Sequence, residues 1–168
     1  KDLLWGVDMS SEGIAILRDM GFDHIIQVDI ENMGPDLRRE KFDIILAGEV
    51  IEHVANPGLF LKTVVSLMSE KTEFVLTTVN ASSFKQFLHA MMWREKVHHD
   101  HNYYFSYRTI KQLLEKFGLS CREIYYYQEI EGRGLAKFLD RFVSTVTWVS
   151  PVWSDGIIVR AIVAKEHN

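Results

Sequence analysis

The segment Phe42-Asp-Ile-Ile-Leu-Ala-Gly-Glu-Val-Ile-Glu-His-Val-Ala-Asn-Pro57 constrains the fold more than any other stretch of the chain. Its apolar run, Ile44 to Ala47, lacks the polar alternation of a half-exposed strand. It therefore predicts a parallel strand buried on both faces. The run stops at Gly48, and Glu49, Glu52 and His53 follow at once. Carboxylates and an imidazole beyond the carboxyl end of such a strand lie where open α/β sheets hold their ligands.

Strand and helix signals alternate on both sides of this segment. Leu3 to Val7 and His24 to Val28 read as short apolar strands, ending at Asp8 and Asp29. Between them Ser10 or Ser11 caps a helix with Ile14 and Leu17 inward and Gly21 as its stop. Asn56-Pro57 is a strong helix start, with Asn as cap and Pro at the first helical position. Phe60, Val64 and Met68, with Leu61 and Val65 beside them, give that helix one apolar face. Phe74 to Val79 predicts the next buried strand, and Phe84 to Trp93 a helix. Ser106 caps another helix, with Ile110, Leu113, Leu114 and Phe117 inward and Gly118 as terminator. Glu123 to Gln128 and Ile157 to Ala164 read as strands, with a helical pattern over Leu135 to Val149 between them. This order predicts an α/β fold: a mainly parallel sheet with helices on both faces and the last two strands antiparallel at one edge.

At 168 residues the chain suits one domain, 1–168, with residues 130–156 as a lid insertion. A net charge of −4 gives no support for a nucleic-acid surface. Cys121 is the single cysteine, which excludes an internal disulfide and fits a reducing, cytoplasmic setting. The apolar-leaning stretch Phe142 to Trp153 is short of the about 20 residues that a membrane span needs. The chain opens on Lys1 and enters a strand at once, from which we expect further sequence upstream.

Each candidate functional residue has a plain structural alternative. Asp8 can accept hydrogen bonds from ribose hydroxyls at a strand end, or simply cap the turn before a helix. Asp29 can accept from an adenine amino group, with the amide of Ile30 facing a ring nitrogen, or merely form a turn. Glu49 and Glu52 lie three apart and share a face if the segment turns helical. They can hold a hard cation or orient a substrate, while His53 can take a proton near neutral pH. Otherwise Glu49 caps the junction and His53 packs on a loop. His98, His99 and His101 crowd too closely for one tetrahedral ion, so we assign no metal ligand and read a polar loop in which His101 lines a pocket. Gly132-Arg133-Gly134 lacks the third glycine of a dinucleotide fingerprint and reads as a hinge. Tyr125, Tyr126, Tyr127, Trp148 and Trp153 read as core and edge aromatics, or as a lid or membrane-contacting surface.

Taken in order, Gly6-Val-Asp-Met-Ser10, Val28-Asp-Ile-Glu-Asn32, Phe42 to His53, Asn56-Pro57 and His101-Asn-Tyr-Tyr-Phe-Ser106 resemble the class I S-adenosylmethionine-dependent methyltransferases. The closest flavour is the small-molecule branch of types 11 and 12. The resemblance covers residues 3 to 129, with 157 to 164 as the final strand. It implies a Rossmann-like sheet of seven strands, the last antiparallel, with S-adenosylmethionine as cofactor. It implies Asp8 and Met9 beside the cofactor ribose, Asp29 and Ile30 at the adenine, and Glu49 near the methionine part or the acceptor. The Glu49-x-x-Glu52-His53 pattern is also similar to that of ubiquinone-pathway O-methyltransferases, whose acids can bind a divalent cation.

The family's first strand and glycine-rich loop precede the acid equivalent to Asp8, and nothing in this chain supplies them. Two consequences are expected. The strands Leu3–Val7 and Phe42–Ala47 either expose unpaired edges at the sheet centre or close on each other. Residues 1–168 alone also bind the cofactor poorly. The expected function is methyl transfer to a small-molecule or glycan- or lipid-precursor acceptor, with Glu49, His53 and His101 as the catalytic candidates. The alternatives are a nicotinamide-dependent oxidoreductase and a non-catalytic methyltransferase-like interaction module. The oligomeric state is not readable from the sequence.

Overall fold

A computed structural model describes residues 4–33, 41–94, 97–129 and 143–165. The chain begins with strand β1 (Trp5–Asp8), helix α1 (Ser11–Asp19) and strand β2 (His24–Gln27). Ser10 caps α1 by accepting from the Gly13 amide, and Gly21, at a φ of 86°, turns the chain out of it. A 3-10 turn (Ile30–Asn32) follows β2. Then come β3 (Ile44–Gly48), α2 (Pro57–Leu67), β4 (Glu73–Val79) and α3 (Phe84–Met91). The last part holds α4 (Tyr107–Lys116), β5 (Leu119–Tyr127), a helical stretch over 143–149, a 3-10 turn (Pro151–Trp153) and β6 (Gly156–Val163).

The helix starts behave as their residue types require. The Asn56 side chain accepts from the amides of Gly58 and Leu59, and Pro57 takes the first helical position, where no amide is needed. Ser106 and Thr109 cap each other's backbone at α4. Strand β5 begins four residues earlier than its sequence pattern predicts, directly after Gly118 at a φ of 75°. Leu119 anchors that early start: it is fully buried and pairs with Val163.

Four strands form one sheet in the order β3-β4-β6-β5, and β1 pairs with β2 alone. The β1–β2 and β3–β4 pairs are parallel, whereas β6 runs antiparallel to both β4 and β5. The last strand is thus interior, and β5 takes the edge. The last two strands pair antiparallel at one edge of the sheet, as expected, with β6 on the inner side. Burial decides which of the two lies inside: Ile157, Val159 and Ala161 of β6 are all inaccessible to solvent, as an interior strand requires. Phe60, Leu61 and Val64 of α2 pack with Phe74 and Leu76 of β4, Ile110 and Leu114 of α4, and β6 to make the main core. Each such buried side chain contributes roughly 1.5–3 kcal/mol of transfer free energy.

Strand β3 departs from its sequence reading on one face. Ile45 and Ala47 pack against the core that α2 covers, but Ile44 is 65% and Leu46 71% exposed. No described element covers that second face. Nor does β3 pair with β1: the two strands line opposite sides of an open cleft of about 490 Å³. Of the two arrangements expected, closure does not occur, and among the described residues the facing edges of β1 and β3 are unpaired. The expected hinge at Gly132-Arg133-Gly134 and the lid residues 130–142 lie outside the described residues.

Candidate functional site

The cleft between β1 and β3 gathers most of the residues singled out in the sequence. Asp8 and Met9 leave the end of β1, Asp29 and Ile30 the end of β2, and Glu49 and His53 the end of β3; all six line it. His101 is not among its lining residues. It sits behind His53, with ring centroids 4.6 Å apart and planes at 82°.

The carboxylates are held by local hydrogen bonds, as the turn-forming readings of Asp8 and Asp29 expect. One Asp8 oxygen accepts from the Ser10 amide at 2.7 Å, which makes it a turn cap. The other lies against Gly13, where a Cβ would come within 2.9 Å of it, so the bare glycine leaves that oxygen room. Asp29 accepts from the Glu31 amide at 2.9 Å and from the Asn32 side chain at 2.7 Å. Glu31, which sequence reasoning missed, accepts from the amides of Ala55 and Asn56 at 2.8 and 2.6 Å. That bond pair docks the Asp29 turn on the start of α2. Its only sequence signal is an acid near a helix N-terminus, and such acids are too common to single out.

Glu49 has a φ of 52°, in the left-handed region that an L side chain adopts at a cost of about 1–3 kcal/mol. Its amide bonds the Thr77 carbonyl and hydroxyl oxygens. Its Oε1 accepts from the Thr77 hydroxyl at 3.1 Å and from the Tyr127 hydroxyl at 2.5 Å. Tyr127, which the sequence reads as a core or edge aromatic or part of a lid, is the second residue whose contact with this site was missed. Burial and the bond to Glu49 raise its phenol far above the ordinary range.

Residues 51–53 form a turn and not a helix, yet the two acids still meet. Glu52 is wholly buried and accepts from the Thr78 hydroxyl at 3.1 Å. Desolvation first, and then a hydrogen bond to Glu49 that favours the protonated acid, raise its pKa from 4.5 to about 7. Glu52 thus holds its proton to a higher pH than an ordinary carboxyl.

His53 Nδ1 lies 3.1 Å from the Asp100 carbonyl oxygen. A carbonyl only accepts, so Nδ1 carries a proton and donates it there. The loop bearing Asp100 is pinned by the Asn102 and Tyr103 amides on the Glu52 carbonyl and by the Asn102 side chain on the His53 carbonyl. His98 joins His101 at 4.9 Å, while exposed His99 faces Asp100 at 3.1 Å. His98 and His99 are both exposed, as a polar loop would have them, and the His98 ring lies between those of His99 and His101. Burial first, and then His53 and His98, lower the pKa of His101 and keep it neutral.

Ligand atoms of Glu52, His53 and His101 lie within 4.8 Å of one another, and His101 Nδ1 is buried with no hydrogen-bond partner among the described residues. Those three could hold a cation. Glu49 of the Glu49-x-x-Glu52-His53 pattern is not a member of that group, and its Oε1 is engaged by Thr77 and Tyr127. Beyond β4 a second, more open groove of about 780 Å³ is lined by Phe84, Phe87, Ala90, Trp93 and Trp153. Phe84 and Trp153 stack at 5.7 Å there, and Trp93 is 98% exposed.

Comparison with known proteins agrees with this geometry. The family profile described as a methyltransferase domain matches residues 3–124. The ubiquinone biosynthesis O-methyltransferase of Rhodopseudomonas palustris strain HaA2 is 30% identical over 130 residues, covering 70% of this chain and 50% of that protein. The mitochondrial ubiquinone biosynthesis O-methyltransferase of Arabidopsis thaliana is 32% identical over 103 residues, covering 56% of this chain and 32% of that one. The fold superposes on magnesium protoporphyrin IX methyltransferase of Synechocystis with bound SAH, with a TM-score of 0.65 and 12% identity over 96% of this chain and 64% of the other. A SAM-dependent methyltransferase from Archaeoglobus fulgidus gives a TM-score of 0.62 at 13% identity, covering 94% of this chain and 74% of its own. The chain belongs to the methyltransferase-domain family and has the Rossmann-like α/β fold of its S-adenosylmethionine-dependent class. It spans about half the length of the Rhodopseudomonas relative.

Proposed function

We propose that the complete protein transfers the methyl group of S-adenosylmethionine to a small-molecule acceptor, of the kind that includes glycan and lipid precursors. The observation that carries this reading is the convergence of Asp8, Met9, Asp29, Ile30 and Glu49 on one cleft in a methyltransferase-family chain. The uncapped oxygen of Asp8 binds the ribose hydroxyls. Asp29 and the Ile30 amide meet the adenine edge. Glu49, its Oε1 held by Thr77 and Tyr127, presents its carboxylate to the cationic part of the cofactor.

When bound, the cofactor supplies an activated methyl group: its carbon–sulfur bond breaks with the electron pair left on sulfur, as the acceptor bonds to carbon. The protein gains most by aligning acceptor and methyl group and excluding water. In its neutral form His53 takes the acceptor's proton at Nε2, with Asp100 fixing its tautomer. His101, neutral and edge-on to that ring, holds it in place. The aromatic groove of Phe84, Phe87, Trp93 and Trp153 takes the acceptor. No step is assigned to a cation, since the donor set present differs from the two-acid pattern that implies one.

An acidic chain favours a small acceptor over a nucleic acid. No described helix is long and apolar enough to cross a membrane, which together with the single free Cys121 supports a cytoplasmic enzyme. Calorimetry on the complete gene product tests the reading. S-adenosylhomocysteine is expected to bind and NAD to give no heat. Binding of NAD alone would reverse the choice in favour of an oxidoreductase.

A further inference from the structure

Tyr127 stands at the end of β5, opposite Gly156 of β6, which in turn pairs with Val79 of β4. Its ring lies directly over Gly156: a Cβ built on that glycine would overlap the Tyr127 Cζ, Cε1 and hydroxyl oxygen. Across the space so provided, the phenol reaches Glu49 on the far side of the sheet's carboxyl edge and donates to its Oε1. The same oxygen takes the Thr77 hydroxyl. Two donors from two strands thus fix a carboxylate whose own backbone is held at a positive φ.

We propose that Tyr127 is a positioning residue for Glu49, and that Gly156 is required at its place because only a bare backbone lets the tyrosine ring pass. The physical argument is one of orientation. A glutamate has three rotatable bonds, and an unheld carboxylate at a cleft wall spends its time in solvent. Hydrogen bonds to an ionised acceptor are about twice as strong as neutral ones, enough to hold one rotamer. Because Tyr127 and Thr77 both engage Oε1, the other oxygen takes neither bond, and Glu49 lines the cleft. The ligand it meets there rests on the methyltransferase reading: the cationic sulfonium or ammonium of S-adenosylmethionine.

A double-mutant cycle on the complete gene product tests this. Affinity for S-adenosylmethionine and free energy of unfolding are measured for wild type, Tyr127→Phe, Glu49→Gln and the pair. Tyr127→Phe keeps the ring over Gly156 and removes only the hydroxyl. It is expected to weaken S-adenosylmethionine binding about tenfold, the size of one lost hydrogen bond to a charged group. Adding it to Glu49→Gln should then change affinity by no more than about twofold, since a residue acting through Glu49 has nothing left to position. Gly156→Ala, which drives the ring off its path, should reproduce the loss. Losses that simply add, or a silent Tyr127→Phe, would overturn the proposal. If wild type binds no S-adenosylmethionine, the methyltransferase reading fails. The clamp is then judged by the unfolding cycle, where coupling supports it and additivity removes it.

Discussion

Replacing Asp8 by alanine in the complete gene product is expected to lower affinity for S-adenosylhomocysteine about a hundredfold, because charge-assisted hydrogen bonds are lost. The prediction rests on how Asp8 divides its two oxygens. One caps the Ser10 amide and shapes the turn into α1, and the other is left clear beside Gly13. Asp8→Asn separates the two jobs. Its carbonyl oxygen still accepts from Ser10, so the turn survives, but its amide cannot accept from a ribose hydroxyl. A loss in Asp8→Asn approaching that in Asp8→Ala places the effect on the ligand, whereas wild-type affinity in Asp8→Asn assigns Asp8 to the turn alone. Calorimetry and a thermal melt of each variant decide between them.

The second large effect concerns stability against pH. Glu52 ionises near 4.5 when unfolded and near 7 when folded, so the folded chain holds more protons across that window. Stability is therefore greatest from this group below pH 4.5, falls as pH rises through the window, and levels off above 7. The shift corresponds to about 3 kcal/mol at most. Glu52→Gln keeps a neutral group of the same shape, with an oxygen for Thr78 and a donor for Glu49. The variant should match wild type near pH 5 and exceed it by about 2 kcal/mol at pH 8.5 in urea unfolding. Parallel wild-type and variant profiles over that range would refute the assignment of the proton to Glu52.

Much of the architecture is legible in the sequence because caps and apolar periods are local signals. Ser10, Asn56 and Ser106 each start the helix their side chains predict. The place of β6 between β4 and β5 is not local. It depends on pairing over long sequence separations, which no window of residues records. The cleft residues were legible for the same reason as the strands: Asp8, Asp29 and Glu49 each sit where an apolar run stops. The supports of those residues were not. Glu31 reaches 24 residues along the chain to the start of α2, and Tyr127 reaches 78 to Glu49. His98 joins its cluster only because Asn102 and Tyr103 fold the loop back over Glu52. Tertiary contact creates these roles, and residue type alone does not announce them.

Among the described residues, strands β1 and β3 leave their facing edges unpaired, and Leu46 lies open at the cleft. Bound cofactor must therefore be sought in the complete gene product. The most direct measurement is a crystal structure of that protein with S-adenosylhomocysteine. The ribose is expected against Asp8, the adenine against Asp29 and Ile30, and the amino-acid end toward Glu49. Density for the ligand anywhere else, with these side chains left facing solvent, would contradict the account.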